Sequence, residues 1–321
     1  MNRIAARKSA IELPDLPAYD DLPRVSVVVP TYGREELLRN TLQSLLSQSL
    51  PRVEILVIDQ TEEHEPETKR FLEQHRDRMR ALPSAPPGVS RARRTGALAA
   101  QGDIVLYVDD DVLCDEQLVA SHVRGHLIPG VGIVAGRVTE NRDVEVDDSR
   151  VGRLYTDASL TRYFMSTVRQ FVDHAPGANM SFKRLALLRA GLFEPAMGGT
   201  ARFEETDACI RVARLGYRVL FEPSACVHHL GGPGGQSYGA GFERWYRTVV
   251  HNGLLMVWRN FRHRYWPLAL SYRFRNAFYL ARRERSFLPL QIFVQEAPRS
   301  VISYVRSTDS LPRGAPRWPL P

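Results

Sequence analysis

Lysine is nearly missing from this chain of 321 residues: Lys8, Lys69 and Lys183 are the only three among 43 basic side chains. Arginine therefore carries the formal charge of +7. Such a skew follows genome composition, so net charge alone does not select nucleic acid, anionic lipid or a phosphorylated substrate as partner. Cysteine is scarce as well. Cys114, Cys209 and Cys226 are odd in number and widely spaced. That spacing excludes a disulfide framework or a CxxC zinc knuckle and fits a reducing cytoplasm. No run reaches the roughly 20 apolar residues that span a bilayer. The opening "MNRIAARKSAIELPDLPAYDDLP" has no apolar core, so it reads as a polar, Pro-punctuated lead-in over 1–23 rather than a secretory signal.

What is present is an alternation of short apolar runs with helical patterns. "VSVVV" (Val25 to Val29), "VEILVID" (Val53 to Asp59) and "IVLYV" (Ile104 to Val108) are continuously apolar, as strands buried on both faces are. Between them, Leu38, Leu42, Leu45 and Leu46 share one helical face. A polar helix is expected from Glu67 to Met79, "PSAPPG" reads as a loop, and "SRARRTGALAAQG" reads as a small-residue helix. This β-α-β-α-β order predicts a Rossmann-like, mostly parallel α/β sheet flanked by helices, with ligands at the carboxyl ends of the strands. Further strands are expected over Val131 to Val138 and in "YRVLFEP", the latter closed by Pro223. A helix is expected over "FEETDACIRVARLG", while 139–175 reads as ambiguous.

The run "IVLYVDDDVLC" ends a strand in three adjacent carboxylates, Asp109, Asp110 and Asp111. They repel one another unless solvated or neutralised by a cation. Mg²⁺ and Mn²⁺ take one or two carboxylates together with substrate phosphates. The competing reading makes Asp111 the N-cap of a helix over "VLCDEQLVASHV". A second acidic group, Glu204, Glu205 and Asp207, opens another helix, where Glu204 and Asp207 share a face and Asp207 with Arg211 suits an exposed i,i+4 pair. Two histidines, His228 and His229, precede a glycine-rich loop from Gly231 to Gly235.

The segments "VSVVVPTYGREELLRNTLQSLLSQ", "VEILVIDQT", "GVSRARRTGALAAQGDIVLYVDDDV", "GANMSFKR" and "FEETDACIRVARLGYRVLFEPSACVHHLGG" occur in that order. Together they resemble family 2 glycosyltransferases, which have the GT-A fold and a DxD motif. The resemblance covers roughly Val25 to Gly232. It implies an inverting transfer from a nucleotide-diphosphate sugar to an acceptor hydroxyl, that of a glycan or lipid-linked glycan, with Mn²⁺ or Mg²⁺ as cofactor. It implies that Pro30, Thr31, Tyr32 and Arg34 form the first nucleotide loop and that Asp59 meets the base. Arg93 would approach the nucleotide, while Arg94 replaces the family's asparagine and leaves their division of labour open. Asp109 and Asp110 would touch the donor, and Asp111 with His229 would hold the metal, with His228 turned into the fold. Glu205 takes the place of the family's catalytic base, with Glu204 and Asp207 in reserve, and Asn179 falls near the acceptor.

The expected domains are 24–237 for the catalytic unit, with a donor half at 24–112 and an acceptor half at 113–237. A helical aromatic and basic extension follows at 238–305, then a disordered tail at 306–321. Between Arg259 and Arg285 lie 8 arginines and a single acid, Glu284. Aromatics interleave with them, as in a segment that rests on an anionic membrane surface. A helical pair packed on the catalytic unit with a solvated basic face fits the same pattern equally; the expected protein is cytoplasmic, and in the membrane reading it is peripheral on the inner face. A nucleic-acid partner is disfavoured because no RNA-binding signature is present. Two other functions compete. A sugar-nucleotide nucleotidyltransferase needs a glycine-rich phosphate loop after the first strand, and "VVVPTYGREELL" has one glycine. A non-catalytic membrane or RNA-binding protein would not be expected to keep the acid clusters.

Overall fold

The computed structural model describes residues 11–141, 145–200, 202–231, 241–307 and 316–320. Four strands form the parallel half of one sheet: β1 (Val25–Thr31), β2 (Glu54–Asp59), β3 (Met79–Pro83) and β4 (Ile104–Val108). Helices α1 (Glu36–Leu46), α2 (Pro66–Gln74) and α3 (Val89–Ala99) make the crossovers. Side-chain alternation along β1 shows why these runs are apolar throughout. Val25, Val27 and Val29 pack on Leu38, Leu42 and Leu45 of α1, while Val28 packs in a second core on the other face with Ala92 and Ala97 of α3. α3 comes very close to the sheet at Gly96, where a Cβ would sit 2.3 Å from Val28 Cγ1.

Beyond β4 the sheet becomes mixed. It adds β5 (Val112–Cys114), β6 (Val131–Thr139), β7 (Gln170–Val172), β8 (Asn179–Lys183) and the twelve-residue β9 (Arg218–His229), in the order β3-β2-β1-β4-β8-β6-β9-β5, with β7 also on β9. Helices α4 (Leu118–Leu127), α5 (Arg184–Arg189) and α6 (Glu204–Ala213) cover this half. Three helices follow: α7 (Gly241–Asn260), α8 (Trp266–Arg283) and α9 (Leu288–Arg306). Ile210 of α6 shares a core with Val250, Leu254 and Val257 of α7, so the C-terminal helices extend the hydrophobic interior of the sheet domain.

Four expectations are corrected. The polar helix ends at Gln74, and Met79 opens β3, an edge strand with only Met79 buried. Strand β9 does not stop at Pro223. The β6–β9 register jumps from Gly136↔Glu222 to Arg137↔Cys226, and the bulge places the proline where no ladder N–H is needed. Asp111 caps no helix, because β5 intervenes before α4. Residues 316–320 are not a disordered tail: Trp318 is buried and exchanges backbone bonds with Asn260 (2.8 Å) and Arg262 (3.0 Å). Among the described residues no helix is long and apolar enough to cross a membrane.

Candidate functional site

The carboxyl ends of β1 and β4 deliver Thr31 and Asp109 to one rim of the sheet. Strand β5 follows the aspartates at once and pairs antiparallel with β9, so that Val112 lies opposite His229. This pairing carries His229 to Asp111, with Nε2 3.4 Å from Oδ1. Ligand atoms of Asp109, Asp111 and His229 all lie within 4.8 Å of one another. Asp111 Oδ1 is buried without a hydrogen-bond partner, while Oδ2 meets Arg34 Nη1 at 2.8 Å. Burial first, and the Asp109 charge second, push the Asp111 carboxyl up. A divalent cation fits this set: it would satisfy the orphaned oxygen and cancel the repulsion, and the two carboxylates supply the oxygen ligands that Mn²⁺ and Mg²⁺ prefer. Asp109, expected at the donor, thus joins Asp111 and His229 as a ligand candidate.

Asp110 points elsewhere. Thr31 Oγ1 donates to it at 2.7 Å and Arg34 Nη1 at 2.6 Å. Burial pushes its carboxyl up to about 6 against these bonds. The Thr31 hydroxyl and the Arg34 guanidinium therefore brace the aspartate run from below. Tyr32, by contrast, is 39% exposed at the rim.

The acid helix α6 begins after Phe203, a non-glycine residue at φ 71°. Such a left-handed kink is costly outside glycine and collects at functional sites. It turns Glu204 and Glu205 toward the aspartates. Arg93, buried on α3, joins the two groups. It donates to Glu204 Oε1 at 2.5 Å, to Asp109 Oδ1 at 3.1 Å and to the Gly177 carbonyl at 2.9 Å. Burial, and then the adjoining Glu205 carboxylate, push Glu204 up to about 8 despite Arg93.

Asp207 must be withdrawn from the candidate bases. It is fully buried on the far side of α6, where Arg211 (2.7 Å), Arg259 (3.3 Å) and Asn260 (2.7 Å) surround it. Arg211 and Arg259 hold its carboxyl below the usual range against the burial that raises it. The Asp207–Arg211 pair, expected on the surface, is an interior tie between α6 and α7. Asn179 is corrected too. It is fully buried on β8, donates to the carbonyls of Arg137 (2.9 Å) and Ala225 (2.8 Å), and accepts from His122 (2.8 Å). Fully buried behind these bonds, it offers no accessible atom to an acceptor. Asp59 does not reach the cavity, since its oxygens bond Thr61 N and His64 Nε2, both at 2.9 Å. Its neighbour Gln60 takes the lining position.

The division between the adjacent arginines resolves cleanly. Arg93 enters the site, Arg94 ties α3 to the carbonyls of Gly191 and Phe193, and Arg91 bonds the Pro86 carbonyl at the surface. His228, on the opposite face of β9 from His229, bonds Thr139. The glycine loop from Gly232 onward lies outside the described residues.

One cavity of about 680 Å³ takes in the aspartates, His229, Arg93, Glu204 and Glu205, with Pro30 and Tyr32 on its wall. Sequence reading missed Arg162 and Arg202, which also line it. Nothing marks them among so many arginines.

A sequence model described as "Glycosyl transferase family 2" matches residues 26–191, more than half of the chain. Among curated proteins, the chain is 24% identical over 217 residues to "Probable glycosyltransferase YdaM" of Bacillus subtilis (strain 168), covering 64% of this chain and 50% of that protein. It is 26% identical over 217 residues to "Pre-mycofactocin glycosyltransferase" of Mycobacterium tuberculosis (strain ATCC 25618 / H37Rv), covering 67% and 44%. The chain thus spans about half the length of these relatives. Among solved structures, it superposes on "Mannosyltransferase PcManGT from Pyrobaculum calidifontis in complex with GDP-Man and Mn2+" with a TM-score of 0.55 at 19% identity, covering 93% of this chain and 79% of that one. That likeness establishes the fold, which is of the GT-A type.

Proposed function

Since this chain belongs to glycosyl transferase family 2, we propose that it transfers a sugar from a nucleotide diphosphate to an acceptor hydroxyl, with inversion at the anomeric carbon. One observation carries the reading: Arg93 bridges Asp109 of the aspartate run and Glu204 of the acid helix across a single cavity. Donor-holding and proton-accepting groups so face one reaction volume.

The donor diphosphate lies against Asp109–Asp111, with Tyr32, Pro30 and Gln60 along the nucleotide side. Asp109, Asp111 and His229 would hold a divalent cation, which when bound neutralises charge on the departing diphosphate. Arg93 orients the donor end and keeps Glu204 in place. Glu204 is 1% exposed and tied to Arg93 at 2.5 Å, so it is poorly placed to take the acceptor's proton. Glu205 is left as the base. It takes the proton from the acceptor hydroxyl, whose oxygen attacks the anomeric carbon from the face opposite the diphosphate. The bond to the new oxygen forms as the bond to the diphosphate breaks, and the configuration inverts.

The bound GDP-Man and Mn²⁺ of the mannosyltransferase neighbour make nucleotide sugars with Mn²⁺ the first probes. In a thermal-shift panel one donor should raise the unfolding midpoint only when Mn²⁺ is present. Glu205→Gln should keep that response and lose turnover, whereas Asp111→Ala should lose both. Full turnover in either variant would refute the assigned role.

The acceptor side includes a bilayer surface in this reading. Exposed Phe274, Phe278 and Tyr279 of α8 and Phe287 and Val294 near and on α9 stand among the exposed Arg275, Arg282, Arg283 and Arg285. Apolar groups ringed by cations suit an anionic leaflet. Flotation with phosphatidylglycerol vesicles but not with phosphatidylcholine vesicles is expected, and Phe278→Glu with Phe287→Glu should abolish it. Equal flotation on both lipids, or none, counts against it.

A further inference from the structure

Most buried arginines of this protein meet a carboxylate, as Arg34, Arg93, Arg211 and Arg259 do, and the buried Arg214 bonds the Pro316 carbonyl at 2.7 Å. Arg273 on α8 breaks the pattern. It is 5% exposed, and its Nε and Nη2 have no hydrogen-bond partner. Its guanidinium lies over the rings of Phe203 (4.7 Å) and Tyr272 (5.4 Å). Asp157, the acid whose field reaches it, bonds Ser159. Room for the group is made by Gly253 on α7, where a Cβ would stand 2.5 Å from Arg273 Nη2.

Arg273 lines a groove of about 170 Å³, whose walls also include Phe203, Trp245 and Tyr272. Arg162 and Arg202 line both this groove and the main cavity. Neither guanidinium has an ion-pair partner among the described residues. Three cations therefore mark a path from Glu205 to α8: Arg162 is exposed, Arg202 is half-buried, and Arg273 is the buried one, whose charge without a partner is costly. The protein retains the cost unless an anion enters.

We infer that this groove binds an oxyanion of the acceptor, a phosphate ester or a carboxylate, among Arg162, Arg202 and Arg273 while the acceptor hydroxyl reaches Glu205. The inference rests on the transfer reading for its acceptor, but the anion site stands on the arginines alone. It gives substrate choice a physical basis: neutral glycans leave the buried Arg273 charge unmatched, and acceptors that carry an anion do not.

The test titrates glycerol 3-phosphate, glucuronate and neutral glycerol at constant ionic strength, by calorimetry and thermal shift. EDTA is present and nucleotide is left out, so no cation-bridged anion reports at the aspartates. One or both anions should bind, glycerol should not, and the stronger anion names the acceptor's charge. Arg162→Gln and Arg202→Gln should each weaken binding about tenfold, the loss of a charge-assisted hydrogen bond. Arg273→Met should remove the response while the free protein's midpoint holds or rises, because an uncompensated buried charge is gone. Binding of neither anion, or binding that all three variants retain, overturns the proposal. Mn²⁺-dependent nucleotide binding, measured separately, reports on the transfer reading by itself.

Discussion

Replacing Asp207 with alanine should unfold the protein earlier without touching the chemistry. Asp207 is fully buried and is the carboxylate that meets Arg211, itself 1% exposed. Arg259 would keep Glu194 at 2.5 Å, and Arg211 would keep the carbonyls of Ala190 and Leu192. Arg211 would still be left as an uncompensated interior charge. Breaking a buried pair in this way costs about 3–5 kcal/mol. The unfolding entropy of a chain this long is about 0.7 kcal/mol/K at the midpoint. The midpoint should therefore fall by about 4–7 °C. Differential scanning calorimetry of Asp207→Ala beside Glu205→Gln reads the contrast, since the second variant keeps its fold and loses turnover. A fall of less than about 1 °C in Asp207→Ala, or turnover lost at temperatures where the variant is folded, would show that Asp207 is not a structural tie.

Other outcomes follow from the same contacts. Glu204 is raised to about 8, above its unfolded value of about 4.3, so between these limits the folded state keeps a proton that the unfolded chain has released. Stability should decline as pH rises across that window, and Glu204→Gln should flatten the decline in midpoint-versus-pH curves. Asn179→Ala removes the partner of His122 Nε2 and one bond each to the Arg137 and Ala225 carbonyls; it should lower the midpoint by several degrees yet leave the KM for acceptor unchanged, and a selective rise in that KM would restore the acceptor role. Trp318→Ala should cost about 3 kcal/mol, or about 4 °C in the midpoint; an unchanged midpoint would mean that 316–320 does not dock in solution.

Strands β1, β2 and β4 were legible because a strand buried on both faces must be apolar at every position. Strand β3 was not: Arg80 and Pro83 lie on an edge that only Met79 covers. The aspartate run, Arg93, the acid helix and His229 could be anticipated from residue type and order, and they share one cavity. Asp207 and Asn179 have the right types at plausible positions, but their partners come from other elements, Asn260 lying 53 residues away from Asp207 and Ala225 46 away from Asn179. Residue spacing says which side chains share a face of one helix, not what a second helix brings against it. Arg162, Arg202 and Arg273 carry no local signal, because only packing distinguishes an arginine that has an acid from one that lacks it.

The bulge at Pro223 makes the histidine pair a matter of reading frame. Successive strand residues face opposite sides, and β9 must run on past the bulge to bring His229, not His228, opposite Val112. Removing one residue between Pro223 and Ala225 would leave every cavity side chain intact in the sequence, yet swap which imidazole looks toward Asp111. Adding the residue back on the far side of the bulge should restore the original facing. Length, at a bulge that contributes no side chain to the cavity, is therefore part of what decides which imidazole stands beside Asp111.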